Sequence, residues 1–167
     1  LSDFSMTLNE FKINNAGSQD GIIIQLKNDC SSLLLGTYAG GAQNDAAYVL
    51  SINKSNPNEL FVAGGTISAN YPTTAGAHLP SYQGGQTDGF LMKFNASSKA
   101  LLASTFVGTN QYDQVYGVQT DDSNHVYVTG QTLGAYPVSA NVYSNPNSSQ
   151  FIAKFDATLA TQLISTV

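Results

Sequence analysis

One phrase is written three times along this chain. "QDGIIIQLKNDCSSLLLGTYAG" (19–40), "TDGFLMKFNASSKALLASTFVG" (87–108) and "QFIAKFDATLATQLISTV" (150–167) share one order of apolar, polar and turn residues. Asp20 aligns with Asp88, 68 positions on, and that offset holds without a gap through Ile22/Phe90, Leu34/Leu102, Thr37/Thr105, Gly40/Gly108, Asp45/Asp113 and Tyr48/Tyr116. After a two-residue slip, "LFVAGGT" (60–66) matches "VYVTGQT" (126–132), and Tyr71-Pro72 matches Tyr136-Pro137. The third copy pairs Lys93 with Lys154, Phe94 with Phe155 and Thr105 with Thr166. "SDFSMT" (2–7) stands where "ANYPTT" (69–74) stands one unit later, so the chain is expected to enter inside a repeat. A period of this kind points to units that bury their apolar faces against one another.

Helical spacing of apolar residues is never sustained, whereas β-branched and aromatic residues cluster in runs of five to eight. Strands are expected at Gly21–Lys27 and Leu33–Tyr38, then at Ala46–Asn53, Glu59–Thr66, Gly89–Asn95 and Leu101–Val107. A last set follows at Gln114–Thr120, His125–Gln131, Phe151–Asp156 and Gln162–Val167. Turn chemistry separates them: "KNDCSS", "NKSNPNE", "NASSK" and "TDDSN". Several strands are apolar on both sides, as where Phe90, Met92 and Phe94 oppose Leu91, so the sheets are expected to be sandwiched.

Four antiparallel strands per unit, covered on both faces, describe a β-propeller blade. The expected fold is all-β: about two and a half four-stranded blades of an incomplete ring. The alternatives, a β-solenoid or a β-sandwich, have shorter repeats or need no periodicity. The expected division is 1–45 as a partial blade, 46–113 as a complete blade and 114–167 as a second. Leu1 is not an initiator Met, and the chain reads as a segment of a longer protein. Its expected partner is the rest of its own propeller or a protein that completes the ring.

Composition narrows the function classes. Only 10% of residues are charged, six of them Lys or Arg, and the net charge is −5. That leaves no basic stripe for a phosphate backbone and little attraction to an anionic membrane, so nucleic acid is not an expected partner. No run approaches the roughly 18 apolar residues that span a bilayer. The single Cys30 excludes an internal disulfide framework and any cysteine-based zinc site. It reads as a small residue at a hairpin tip.

The string "TYAGG…ND…Y…LFVAGGT…YPTTAGA…TDGFLMKF" resembles the SBBP repeat, a seven-bladed β-propeller family of bacterial and archaeal surface proteins. Its carriers here are Gly40-Gly41 with Asn44-Asp45, Val62 to Thr66, Tyr71-Pro72-Thr73-Thr74 with Gly76, and Asp88-Gly89-Phe90 with Lys93. The third unit departs from this pattern, with Ser149-Gln150 in place of Asp-Gly and no Thr-Thr-x-Gly after Tyr136-Pro137. The resemblance implies a propeller in a secreted or surface-anchored protein, in Bacteroidota often one with a C-terminal sorting domain. It implies no reaction.

Long connections on a rigid scaffold are where binding usually resides. The second-to-third-strand connections (67–88 and 133–150) carry Tyr71, Tyr82, Tyr136 and Tyr143 among Asn and Gln. Such uncharged aromatic and amide chains suit a neutral glycan, and equally a loop that folds back on its own blade. Asp45 and Asp113 open the inner strands. They read either as a ring of carboxylates for Ca²⁺, the one cofactor admitted, or as caps for their own glycine-rich turns. Asp20 and Asp88, each before a glycine, fit turns. The histidines, His78 and His125, are not repeat equivalents, and no nucleophile elbow, phosphate loop or His-x-x-x-His spacing occurs. The expected function is a non-catalytic interaction or structural module, in adhesion or surface assembly. The alternative is a propeller that binds or processes glycans at its channel mouth through Asp45, Asp113, Tyr71 and Tyr136.

Overall fold

The computed structural model of the chain describes residues 11, 12 and 14–167; the "SDFSMT" match lies outside them. The described residues form ten strands and no helix: β1 (Gly21–Leu26), β2 (Leu33–Ala39), β3 (Asp45–Ile52), β4 (Glu59–Thr66), β5 (Asp88–Asn95), β6 (Ala100–Val107), β7 (Asp113–Thr120), β8 (Val126–Thr132), β9 (Gln150–Phe155) and β10 (Gln162–Thr166). They build three antiparallel sheets: the hairpin β1–β2, the meander β3-β4-β5-β6, and the meander β7-β8-β9-β10. No sheet closes into a barrel. The arrangement is an open, propeller-like stack.

All ten expected strands are present, and their bounds shift for identifiable reasons. β3, β5 and β7 begin on Asp45, Asp88 and Asp113 because these residues are already in the ladder, Asp45 and Asp88 both opposite Thr66 and Asp113 opposite Thr132. β8 begins after His125, whose backbone N–H is diverted to Asp121 Oδ1 at 2.9 Å. Cys30 is exposed at the β1–β2 turn with φ 56°.

Each internal junction between sheets is an apolar core. Ile23, Leu35 and Ala39 of the first hairpin pack with Val62, Phe90, Met92, Phe94 and Phe106 of the middle sheet. On its other side the middle sheet offers Phe61, Ala63, Leu91, Ala103 and Val107 to Val115, Val118, Val128, Phe151 and Ala153 of the third. The middle sheet is therefore covered on both faces, as the doubly apolar pattern of β5 requires: Phe90 and Leu91, neighbours pointing opposite ways, are both 0% exposed. Among the described residues, nothing covers the outward faces of the end sheets. Ile22, the equivalent of Phe90, is 41% exposed, and Ile152, the equivalent of Leu91, is 55% exposed.

The long connections run back along the rim strands. Thr74 N–H donates to Ser104 O, and Phe106 N–H donates to Leu79 O, so residues 74–79 line the free edge of β6. Lys12 meets β2 in the same way, its carbonyl accepting from Tyr38 N–H, and Ser139 N–H donates to Ser165 O on β10. A rim strand left open would present unpaired backbone groups to other chains, and these segments cover that edge in every unit. The middle connection also spans a junction: His78 N–H donates to Leu159 O in the β9–β10 turn, and the His78 ring stands edge-on to Phe155 at 5.6 Å.

Candidate functional site

The four tyrosines of the long connections have different fates. Tyr71 is buried, stacked on Phe90 at 4.4 Å and edge-on to Phe106, with its hydroxyl 3.8 Å from Met92 Sδ. Burial, then the charges of Asp45 and Asp20, push its hydroxyl well above the ordinary tyrosine range, so it stays neutral. Tyr136 repeats this role, stacked on Phe151 at 4.1 Å and donating to Gln162 Oε1 at 2.9 Å. These two rings anchor their connections to their own blades. Tyr82 lies half-buried, edge-on to Phe106, its hydroxyl donating to Gly85 O. Tyr143 is 85% exposed on the third unit's connection. The four do not converge.

Asp45 is consumed by its own turn. Oδ2 accepts from Gly41 N–H at 2.6 Å and from the Ser68 hydroxyl at 2.8 Å, and Oδ1 accepts from the Thr66 hydroxyl. Asp113 is buried in the same place one unit later, with Oδ2 accepting from Thr109 N–H (2.6 Å) and the Thr109 hydroxyl (2.8 Å). Each is tied to the residue just before Asp20 or Asp88, since Asp45 N–H donates to Gln19 O and Asp113 N–H to Thr87 O. Asp20 is paired with Lys12 Nζ at 2.8 Å. Burial raises the Asp88 carboxyl to about 7, with the charge of Asp113 adding to the rise and the Gln83 N–H opposing it. Among the described residues no three His, Cys, Asp or Glu side chains gather as a metal site.

A different set of residues is brought together beside the inner strands. The ladders of β3 and β7 each skip one residue, between Ala47 and Val49 and between Val115 and Gly117. The extra residues are Tyr48 and Tyr116, repeat equivalents on matching β-bulges, where a bulge re-aims a side chain. Opposite each bulge is a glycine that nothing larger replaces: a Cβ on Gly64 would lie 1.9 Å from Ala46 O, and one on Gly130 would lie 2.0 Å from Gln114 O. The two rings are half-exposed and 5.8 Å apart, and Gln114 bridges them, donating to the Tyr48 hydroxyl at 3.1 Å and accepting from the Tyr116 hydroxyl at 2.6 Å. Gly65 lets Gln114 lie across this spot, since a Cβ there would come within 3.0 Å of Nε2. A cleft of about 250 Å³ opens beside them, lined by Asn44, Tyr48, Thr66, Thr87 and Gln114. Burial and nearby Tyr112 raise both hydroxyls, Tyr116 to about 12, so both stay neutral. Sequence reasoning aligned Tyr48 with Tyr116 but gave them no role. The available signal was an exposed aromatic recurring with a glycine sixteen residues on in one unit and fourteen in the next.

The candidates for nucleophilic or acid–base chemistry lie apart. His78 braces the middle connection, and burial lowers its pKa. His125 is held by Asp121, its Nδ1 3.1 Å from Oδ2, at the far end of β8. Neither the models of known protein families nor the curated proteins match this chain.

Proposed function

We propose that the chain is a non-catalytic, propeller-type module of an extracellular or cell-surface protein, working through contact with further blades and with surface partners in adhesion or assembly. The resemblance to the SBBP repeat suggests the same setting, and so does the weakly charged, amide-rich composition. One observation supports the reading above the rest: the two uncovered faces present register positions that each internal junction buries. The outward face of β1–β2 shows Ile22, Ile24 and Leu26, the outward face of β8–β10 shows Tyr127, Ile152 and Ile164, and all are exposed. They are the two unlike halves of one junction, and contiguous apolar area of this kind marks an interaction surface. Among the described residues none forms a helix long and apolar enough to cross a membrane. Sedimentation velocity at rising concentration tests the reading. The chain is expected to associate, and Ile152→Lys, which charges one half-junction, is expected to reduce that association. A wild-type chain that stays monomeric throughout would count against the contact role.

The bulge tyrosines support a second reading, a recess for a neutral saccharide. Uncharged amides and hydroxyls can hydrogen-bond sugar hydroxyls, and a half-exposed ring offers a flat apolar face. Titration with neutral oligosaccharides should show Tyr48→Ala about tenfold weaker than Tyr48→Phe, the value of one lost ring contact. Equal binding by the two variants ends this reading.

A further inference from the structure

The two junctions are built alike, hydrogen bond for hydrogen bond, until one charge goes missing. In the first, Lys12 N–H donates to Thr37 Oγ1 (3.0 Å), Lys12 O accepts from Tyr38 N–H (3.0 Å), and Ala16 N–H donates to Asp20 Oδ2 (3.0 Å). In the second, Leu79 N–H donates to Thr105 Oγ1 (2.8 Å), Leu79 O accepts from Phe106 N–H (3.0 Å), and Gln83 N–H donates to Asp88 Oδ2. Leu79 therefore stands where Lys12 stands. The Lys12 ammonium binds Asp20 Oδ2 at 2.8 Å and the Gly40 carbonyl at 2.6 Å. A leucine side chain ends two atoms short of that ammonium and carries no charge.

A second substitution deepens the deficit. Ser68, which donates to Asp45, corresponds to Gly134, and the Thr132 hydroxyl donates to the Gly134 carbonyl (3.4 Å), where its equivalent Thr66 donates to Asp45. Asp88 and Asp113 are both fully buried, and among the described residues Oδ1 of each has no donor, as Oδ1 of Asp20 has none in the first junction. Two neighbouring carboxylates out of water are strongly disfavoured unless a positive group joins them. The tyrosines that sense their charge are Tyr82, which senses both, and Tyr136, which senses Asp113; neither supplies positive charge.

We propose that the second junction is a cation site, in which Asp88 and Asp113 hold a small hard cation, sodium or calcium, where the first junction holds the Lys12 ammonium. Two carboxylate oxygens and the Gly108 carbonyl, equivalent to that of Gly40, supply hard oxygen ligands, and water completes the shell. The site belongs to this junction alone. The first has its own ammonium, and the third unit has Ser149 in place of Asp88.

The test is thermal unfolding and titration calorimetry of the whole chain with calcium chloride, sodium chloride or choline chloride at matched ionic strength. Calcium or sodium is expected to raise Tm by about 5–10 °C at a hundredfold excess over Kd, with choline giving no rise. Asp88→Asn should lose the response. Leu79→Lys should lose it too, and should melt in choline about where the cation-loaded wild type does, because its own ammonium fills the site. Lys12→Met should melt lower yet keep the response, which separates the site from a general loss of stability. No cation response in the wild type, with stability that falls between pH 5 and 8 and is flattened by Leu79→Lys, would overturn the proposal in favour of a proton shared by the two carboxyls. A response that survives Asp88→Asn and Leu79→Lys would overturn it equally.

Discussion

At the scale of single residues, the polar side chains that repeat are those that hold turns and junctions in register. Asp121, at the β7–β8 turn, shows how much one carboxylate can organise. It accepts from Ser123 N–H and His125 N–H, each at 2.9 Å, and from the Tyr127 hydroxyl at 3.2 Å, with Lys154 Nζ 3.6 Å away. Burial alone would raise its pKa, but these donors bring it down to about 2. A carboxylate whose folded pKa lies below its unfolded value of about 3.9 adds stability above that value and loses it as pH falls toward the folded pKa. Tm measured from pH 5 down to 2 should therefore fall more steeply in the wild type than in Asp121→Asn; parallel curves would show that the turn gains nothing from the charge. This arrangement was only partly legible. "TDDSN" announces a turn, but Tyr127 and Lys154 reach the same oxygen only because β8 and β9 are paired, with Tyr127 opposite Lys154.

At the scale of elements, the long connections are the surprise. Their length and their tyrosines read equally as a binding face or as loops folded home; in the structure Tyr71 and Tyr136 fold home while Tyr143 stays exposed. Thr105 is the hub of the middle one, its buried hydroxyl accepting from Leu79 N–H at 2.8 Å. Thr105→Val keeps the shape but leaves that N–H without its acceptor, which costs about 1–3 kcal/mol. Urea unfolding should show a loss of this size together with faster exchange of the Leu79 amide. Unchanged stability would mean that the connection is not pinned at this point. The repeated Thr37/Thr105 pair was visible in the sequence, but its partners, Lys12 and Leu79, were not. They share no chemistry, and only the backbone geometry equates them.

For the molecule as a whole, the order of the sheets makes the outward faces unlike each other. One carries the Phe90-type positions and the other the Leu91-type positions, so the proposed association is expected to be head-to-tail rather than two-fold. Mixing separates the two geometries. A chain with Ile22→Lys and a chain with Ile152→Lys each keep one intact half-junction, so together they should form a one-to-one complex that neither forms alone. Failure of the mixture to associate while the wild type does would point to a different contact surface.

Ten strands, the turns between them and the doubly apolar middle sheet were all readable from the amino-acid sequence. These follow from local patterns of period two, punctuated by turn residues, and a unit that recurs states its own boundaries. Only the tertiary structure decided where the repeat is broken with consequence. A bulge is a matter of which residues face each other across a ladder, so the roles of Tyr48 and Tyr116 emerged only when β3 and β7 were paired with their neighbours. The missing charge beside Asp88 and Asp113 is a contact between segments, Lys12 in one unit and Leu79 in the next, whose equivalence comes from backbone hydrogen bonds rather than residue type. Local pattern specifies elements, whereas sites are made where elements meet.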